Sequence, residues 1–272
     1  MQDHLEGVAA LLKVGPVGLL LDLDGTISEI VSEPQAAAVS PAIKSALREL
    51  CLRLALVAVI TGRSAWQARD IVGLQELTYV GNHGLERLER GRFTLTEGVQ
   101  AYVPFLKRLL ERLGERFPPS GPGQVPSSGL TLEDKESSFA VHYRLARDPD
   151  KARDDALEAI RELAGGQVRV LMGKAVINVL PPVNLTKGTA VISLVTEHNL
   201  SGAVLIGDDV TDIDSFRAAR DLSSQGSFSG ISVAVVGPDS PPELEKEADF
   251  TLSMVSEVGD FLKWLVGQVD SP

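Results

Sequence analysis

The first residues that could do chemistry are two aspartates at the end of a short apolar run. Val17–Leu21 is too short for a helix and too continuous for a half-exposed strand, so it predicts a buried parallel strand. Asp22 and Asp24 follow it, and strand alternation points both side chains the same way, into a turn that Gly25 opens. Two carboxylates are therefore held side by side. The competing interpretation of these residues alone is an ordinary strand-to-turn junction, where Asp and Gly are common.

Three further aspartates follow another buried run, at 203–206. They are Asp208, Asp209 and Asp212, and helix capping can explain one of them but hardly all three. Because the carboxyl ends of parallel strands meet at one edge of a sheet, the two groups of acids are predicted to converge there. They would repel one another strongly unless a cation neutralised them. Mg²⁺ prefers oxygen ligands and is the cation that we expect.

Groups that could bind an anion lie near the starts of two predicted helices. Thr61 and Arg63 close another apolar run and Ser64 then caps a helix, so a hydroxyl, backbone N–H groups and a helix N-terminus could face an anion. Lys187 opens a second helix and adds a positive charge. Each signal is weak alone, because a lysine near a helix end is usually a solvated surface residue. The specific feature is the order of acid pair, hydroxyl, lysine and acidic cluster, each beside a strand.

These residues need a scaffold, and the apolar pattern predicts one of alternating strands and helices. The predicted strands are 17–21, 54–60, 77–80, 203–206 and 231–236. Predicted helices begin after Ser40 with Pro41 and after Ser64 with Gln67 in a capping box, and two more cover 189–198 and 212–220. This alternation predicts an α/β fold with a doubly wound sheet, in which ligands bind at the carboxyl ends of the strands.

The pattern changes between residues 87 and 182. Strand-like pieces occur at 92–95, 130–132 and 139–143, together with a Pro/Gly/Ser-rich loop at 118–129 and an amphipathic helix at 151–163. This mixture predicts an inserted α+β domain.

Composition excludes several classes of partner. The 272 residues carry a formal net charge of -11, which argues against nucleic acid, and 44% hydrophobic content is enough for a real core. The single cysteine, Cys51, excludes an intrachain disulfide and favours a reducing cytoplasm. Residues 1–12 lack the positive charge of a signal peptide, and no apolar run approaches the length of a membrane span. We therefore expect a cytoplasmic protein without nucleic-acid or membrane partners, and a monomer.

The chemistry-bearing residues together resemble the four motifs of the haloacid-dehalogenase superfamily. The matching residues are Asp22 with Asp24, Thr61, Lys187, and Asp208 with Asp209 and Asp212. The resemblance implies a Rossmann-like doubly wound core with an inserted α+β cap of the C2 type. The core would comprise residues 1–86 and 183–272, and the cap residues 87–182.

The same resemblance implies roles in phosphate monoester hydrolysis. Asp22 would be the nucleophile that forms an aspartyl-phosphate, and Asp24 the group that gives and takes the proton. Thr61 and Lys187 would balance charge on the phosphoryl oxygens.

A magnesium site is implied beside these catalytic groups. We expect the side chains of Asp22 and Asp208 and the backbone carbonyl of Asp24 as direct Mg²⁺ ligands. Asp209 and Asp212 would orient water ligands or Lys187.

A closer resemblance is to trehalose-6-phosphate phosphatases. It rests on the segments 81–84 (Gly-Asn-His-Gly), 132–135 (Leu-Glu-Asp-Lys), 142–144 (His-Tyr-Arg) and 207–212. In that family the Glu and Lys of the cap motif and the following Arg grip sugar hydroxyls and phosphate. The residues expected to bind substrate are Arg63, Asn82, His83, Gly84, Glu133, Lys135, Arg144 and Asn178.

Asn178 departs from the family pattern, which usually has a glutamate in the strand before the lysine motif. A glutamate accepts hydrogen bonds from two sugar hydroxyls with a full charge, whereas asparagine offers a neutral acceptor and a donor. Another phosphorylated sugar, of the sucrose-phosphate or mannosyl-3-phosphoglycerate type, is therefore the alternative to trehalose 6-phosphate.

Two other function classes fit the residues less well. A glycosyltransferase can also hold a metal with an Asp-x-Asp motif at a strand end, but it would leave Thr61 and Lys187 without a role. A sugar-phosphate sensor without activity would gain nothing from a reactive carboxylate at Asp22.

Overall fold

A computed structural model of the protein describes residues 2–31, 36–118, 128–173, 175–238 and 240–269. The chain forms two compact units. One is Met1–Thr94 with Leu185–Pro272, and the other is Leu95–Asn184.

The strands of the described residues are β1 (Val17–Leu21), β2 (Leu56–Ile60), β3 (Thr78–Gly81), β4 (Glu86–Glu89), β5 (Arg92–Leu95), β6 (Thr131–Asp134), β7 (Phe139–His142), β8 (Arg169–Gly173), β9 (Val176–Leu180), β10 (Gly202–Gly207), β11 (Ser229–Val235) and β12 (Phe250–Leu252). The helices of the same residues are α1 (Gln2–Leu11), α2 (Pro41–Cys51), α3 (Ala65–Val72), α4 (Val103–Arg116), α5 (Pro149–Ala164), α6 (Lys187–Glu197), α7 (Val210–Ser224), α8 (Pro242–Glu247) and α9 (Val255–Val269). A short 3₁₀ turn covers Asn82–Gly84.

The first unit is a sheet with helices on both faces. Its strand order is β12-β11-β10-β1-β2-β3-β4-β5, parallel from β12 to β3. One face of β1, through Leu19 and Leu21, packs with α2, α3 and α9, and the other face, through Leu20, packs with α6 and α7. The predicted doubly wound α/β fold is confirmed.

The order of the strands reverses between β1 and β10. From β1 the chain moves outward through β2 and β3, whereas from β10 it moves the other way through β11 and β12. At such a switch point the loops after two neighbouring strands separate and leave a crevice for a ligand. The residues that follow β1 and β10 are therefore in the position where this fold places its sites.

The predicted elements of the first unit are found with small shifts. β1 has the predicted ends, and the capping box of Ser64 and Gln67 opens α3, which stops at the left-handed Gly73. β2 begins at Leu56 and not at residue 54, because Leu54 still belongs to the turn after α2. The helix predicted at 212–220 begins two residues earlier, at Val210.

The residues just after the predicted core segment 1–86 take part in the sheet of the first unit. β4 pairs antiparallel with β3, and β5 lies beside β4 at the edge of the sheet. The domain boundaries at residues 87 and 182 stay a prediction.

The second unit is a separate α+β structure. Its sheet has the order β6-β7-β9-β8, with antiparallel pairs throughout. One face of the sheet packs against α4 and α5. Phe139 and Val141 of β7 belong to the same buried apolar cluster as Leu109 and Leu113 of α4. Within the Pro/Gly/Ser-rich loop predicted at 118–129, residues 119–127 lie outside the described residues.

Among the described residues, the structure contains no helix with both the length and the apolar character needed to cross a membrane.

A charged network joins β4 to α6 in the first unit. The Arg87 guanidinium donates to Ser193 at 2.9 Å and to both carboxylate oxygens of Glu197, and Ser193 also donates to Glu197. The hydrogen bonds from Arg87 hold the pKa of Glu197 below its ordinary value of 4.5. A depressed acid pKa stabilises the fold above the pKa of the unfolded chain, and the contribution is lost as the pH falls through the folded pKa.

Arg87→Met is therefore expected to lower the free energy of unfolding at pH 7, by up to about 1 kcal/mol because Glu197 is exposed. The deficit should shrink as the pH falls below 4.5, where Glu197 becomes protonated first in the unfolded chain and then in the folded protein. Urea unfolding of both proteins at pH 7 and pH 3.5 measures it. A deficit that is the same at both pH values would assign the role of Arg87 to packing.

Candidate active site

Asp22 lies directly beyond β1, at the switch point. Its backbone N–H donates to Ile206 at 2.9 Å, so the pairing of β1 with β10 continues through it. The side chain is buried, and its carboxylate lies with those of Asp208 and Asp212 in a group whose oxygens are all within 4.8 Å of one another. The predicted convergence of the two acidic clusters at the sheet edge is confirmed for these three residues.

Two glycines make this close approach possible. Gly25 has φ +84°, and a Cβ there would lie 2.1 Å from a carboxylate oxygen of Asp208. A Cβ at Gly207 would lie 2.2 Å from Cγ of Asp212. Any larger residue at either position would push the carboxylates apart.

Lys187 bridges two of the three acids. Its Nζ is 3.0 Å from Asp22 and 2.8 Å from Asp212. Lys187, Asp22 and Asp212 form a triad, and all three side chains are buried. Thr186 positions it by capping α6, because its side chain accepts hydrogen bonds from the N–H groups of Gly188 and Thr189. Lys187 is therefore a buried residue of the site and not the solvated surface lysine that is usual near a helix end.

Burial and the charges of the neighbouring groups together set the ionisation of Asp22, Asp212 and Lys187. Burial raises the pKa of Asp22 well above its ordinary value, Lys187 offsets part of that rise, and the neighbouring carboxylates add to it. Burial also raises the pKa of Asp212, again against the effect of Lys187. Burial lowers the pKa of Lys187, but the two aspartates outweigh it and the net pKa lies above the ordinary value.

Asp212 is engaged on both of its oxygens. One accepts from Lys187, and the other accepts from the backbone N–H groups of Asp208 and Asp209, at 3.2 and 3.1 Å. Asp212 therefore ties the lysine to the loop that carries Asp208. The Asp209 side chain is half-buried at the start of α7.

The Asp24 carboxylate forms an ion pair with Arg63. It accepts two hydrogen bonds from Arg63, at 2.6 and 2.7 Å, in a bidentate ion pair. Arg63 is expected from the sequence to face a substrate anion, and in this structure its anion is Asp24. The pair brings the loop after β2 to the loop after β1.

Thr61 is buried beside this pair, and its hydroxyl accepts from the backbone N–H of Arg63 at 3.2 Å. The N-terminus of α3, predicted to face an anion, contacts a carboxylate of the chain itself. The N–H of Ala65 donates to the buried carboxylate of Glu86 at 2.7 Å. Glu86 is not among the predicted site residues, although one signal was available: the alternation of β4 puts it on the same buried side as Leu88.

The turn Asn82–Gly84 packs against the loop of Thr61 and Arg63. The N–H of Asn82 donates to the carbonyl of Arg63 at 2.7 Å, and the N–H of His83 donates to that of Thr61 at 3.0 Å. All three residues of the turn are buried. They are thus placed at the same end of the first unit as Asp22.

The other predicted substrate-binding residues lie in the second unit. Lys135 is buried in the turn between β6 and β7, and its Nζ donates to Oδ1 of Asn178 at 3.2 Å. Glu133 lies 2.8 Å from Nε2 of His142, a residue that is not among the predicted site residues. Arg144 is exposed just after β7.

Comparison with known proteins gives a consistent result. A family model described as trehalose-phosphatase matches residues 20–253. "Probable trehalose-phosphate phosphatase 3" of Oryza sativa subsp. japonica is 28% identical over 96% of this chain and 72% of its own length. The "C. albicans Trehalose-6-phosphate phosphatase C-terminal domain" superimposes with a TM-score of 0.74 at 24% identity, over 96% of each chain.

A further solved structure is more distant in sequence. It is a "haloacid dehalogenase-like hydrolase" from Bacteroides thetaiotaomicron, with a TM-score of 0.64 at 13% identity over 92% of this chain and all of that one (100%). At this identity the likeness concerns the fold alone. The fold is that of the haloacid-dehalogenase-like hydrolases, as the sequence motifs imply.

Proposed function

Because the chain belongs to the trehalose-phosphatase family and is thus a phosphoric monoester hydrolase, we propose that it hydrolyses trehalose 6-phosphate to trehalose and phosphate. The observation that carries the proposal is the buried Asp22 carboxylate at the switch point, held by Lys187 at 3.0 Å. A buried carboxylate that faces a fixed ammonium is suited to attack a phosphoryl group that also needs positive charge.

Asp22 is the proposed nucleophile. A carboxylate oxygen of Asp22 forms a bond to phosphorus while the bond from phosphorus to the sugar oxygen breaks. The leaving sugar oxygen takes a proton from Asp24. In the second step Asp24 takes a proton from a water, the water oxygen bonds to phosphorus, and the bond to Asp22 breaks to release phosphate.

Arg63 has to change partner in this sequence of steps. Both oxygens of Asp24 accept from its guanidinium, so Asp24 cannot serve the sugar oxygen while the pair is intact. We propose that Arg63 turns to the phosphoryl oxygens when substrate binds, since a guanidinium binds phosphate in the same bidentate manner as carboxylate. Thr61 and Lys187 supply further contacts to those oxygens.

The acidic group fits a magnesium ion by its chemistry. Three buried carboxylates have oxygens within 4.8 Å of one another, and two of them pair with the Lys187 ammonium. Hard oxygen donors of this kind suit Mg²⁺. We propose that Asp22, Asp208 and the carbonyl of Asp24 hold the ion, while Asp212, occupied on both oxygens, orients Lys187, and Asp209 orients water. A bound Mg²⁺ would neutralise charge on the phosphoryl group.

We propose that the second unit binds the sugar. We propose that residues 87–182 act as the cap and that Glu133, Lys135, Arg144 and Asn178 contact the disaccharide. We propose that Asn82, His83 and Gly84 of the first unit also bind substrate. The bond between Lys135 and the neutral Asn178 supports the alternative of another sugar phosphate, because this position lacks a carboxylate. The cytoplasmic location and the monomeric state stay predictions.

A panel of substrates tests the function. Phosphate release from trehalose 6-phosphate, sucrose 6-phosphate, glucose 6-phosphate and p-nitrophenyl phosphate is measured with Mg²⁺ and with EDTA. We expect turnover when Mg²⁺ is present and none when EDTA removes it. Among the substrates, trehalose 6-phosphate should have the highest kcat/KM. A preference of tenfold or more for another sugar phosphate would refute the substrate assignment and leave the phosphatase chemistry in place. An absence of turnover with every substrate would refute the function.

Asn178→Glu probes the position where the chain departs from its family. A carboxylate there can accept from sugar hydroxyls with a full charge and still reach Lys135, so kcat/KM for trehalose 6-phosphate is expected to rise by up to about tenfold. Turnover of p-nitrophenyl phosphate should be unchanged and serves as the control. A fall with trehalose 6-phosphate, accompanied by a rise with another sugar, would indicate a site adapted to that sugar.

A further inference from the structure

One face of the sheet of the second unit carries several polar side chains. Phe139 and Val141 of β7 point toward α4 and α5, so strand alternation places Ala140 and His142 on the opposite face. Ionisable and amide groups share this face with aliphatic ones, and they suit it to a hydroxyl-rich ligand, since each hydroxyl needs a hydrogen-bond partner.

The strand registers align the polar residues of this face. Glu133 pairs with Ala140, Ala140 with Asn178, and Asn178 with Leu171, so these residues form one row across the sheet. His142 lies two positions along β7 from Ala140, in the next row of the same face. It is therefore a diagonal neighbour of Glu133, within the reach of long side chains.

The contact between these neighbours is short. Nε2 of His142 lies 2.8 Å from Oε2 of Glu133, with the two side chains 30% and 27% exposed. This hydrogen bond restrains the rotation of the carboxylate and with it the direction of Oε1. Asn178 lies on the other side of Ala140 in the row, and its Oδ1 accepts a hydrogen bond from Lys135.

We propose that His142 is a positioning residue, which orients the Glu133 carboxylate so that it can read the hydroxyls of the sugar. The inference rests on the proposed function. His142 donates through Nε2, Glu133 accepts, and the orientation is set before the substrate arrives. Because preorganised groups bind without a further ordering cost, loss of the donor should weaken binding of the sugar and leave the chemistry at Asp22 unchanged.

Substrate choice separates this role from a structural one. His142→Phe removes the donor at similar volume, and we expect kcat/KM for the sugar phosphate to fall about tenfold, mainly through KM. His142→Gln keeps an N–H donor and should restore most of the activity. Both variants should turn over p-nitrophenyl phosphate like the wild type. His198→Phe is the matched control, because His198 pairs with Glu89 at similar exposure in the first unit.

A double-mutant cycle tests the link to Glu133. In a Glu133→Gln background, His142→Phe should cost little more with the sugar phosphate, because the group that it orients has already been changed.

Equal losses on both substrates, fully additive losses, or a Gln variant as poor as Phe would overturn the inference. If His142→Phe does not fold by thermal melting, His142→Ala removes the donor in the same cycle. If the wild type hydrolyses p-nitrophenyl phosphate but none of the sugar phosphates, the substrate proposal and this inference are overturned together. If the wild type hydrolyses a sugar phosphate but His142→Phe affects both kinds of substrate equally, the inference alone is overturned.

Discussion

Asp22→Asn is expected to abolish turnover while the protein stays folded. In the wild type, Nζ of Lys187 is 3.0 Å from the Asp22 carboxylate. The amide of asparagine is nearly isosteric, so its oxygen can still accept a hydrogen bond from Lys187, but it cannot attack phosphorus. The change also removes one of three crowded, buried carboxylates, which relieves part of their repulsion. We expect a loss of activity of more than about 10⁴-fold and a melting temperature equal to or above that of the wild type.

Phosphate release and thermal melting of the same preparation provide the measurement. Asp70→Asn is the matched control, because Asp70 carries its carboxylate on the exposed side of α3, paired with Arg69. Retention of more than about a hundredth of the wild-type rate in Asp22→Asn would exclude the covalent route.

Lys187→Met should have the largest effect on stability. It removes the ammonium from a triad in which every side chain is at most 7% exposed, and leaves two buried carboxylates without their partner. Breaking a buried pair in this way costs about 3–5 kcal/mol, and loss of one charge contact to the phosphoryl group costs about 10²–10³-fold in kcat. Urea unfolding and phosphate release measure the two effects separately.

Magnesium and a surface lysine provide the controls for this variant. If the acids hold the ion as proposed, added Mg²⁺ should narrow the stability deficit of Lys187→Met, since a cation again neutralises them. Lys263→Met removes a mostly exposed lysine that pairs with Asp260, and it should cost no more than about 1 kcal/mol. A similarly small cost for Lys187→Met would show that the carboxylates do not depend on the lysine.

The scaffold was predictable wherever a buried strand or a capped helix leaves a local pattern. β1 is five consecutive apolar residues, and α3 carries its capping box and its left-handed glycine in the sequence. α4 and α9 are not among the predicted elements, although Leu106, Leu109 and Leu113 of α4 recur at helical spacing. β12 has only three residues, which is too few for any period to be visible.

The positions of the site residues were more predictable than their partners. A strand end places Asp22 and Asp24 at the edge of the sheet, since this follows from local alternation. That Arg63 would bind Asp24, 39 positions away, depends on the path of two loops and on rotamers, which have no local pattern. The same holds for Glu86 at the N-terminus of α3 and for His142 on Glu133, because each contact joins elements whose register is set by the folded sheet.

The place of β1 inside the sheet matters for the way the chain is synthesised. Its partner β10, aligned from Val17 to Gly202, comes roughly 185 residues later. At about 5–20 residues per second, the ribosome needs on the order of 10–40 s to deliver it. During this time one edge of an apolar strand has no partner, which makes it a template for association with other nascent chains. The second unit is continuous in sequence and has its own core, so we expect it to fold on the ribosome while β1 still waits for β10.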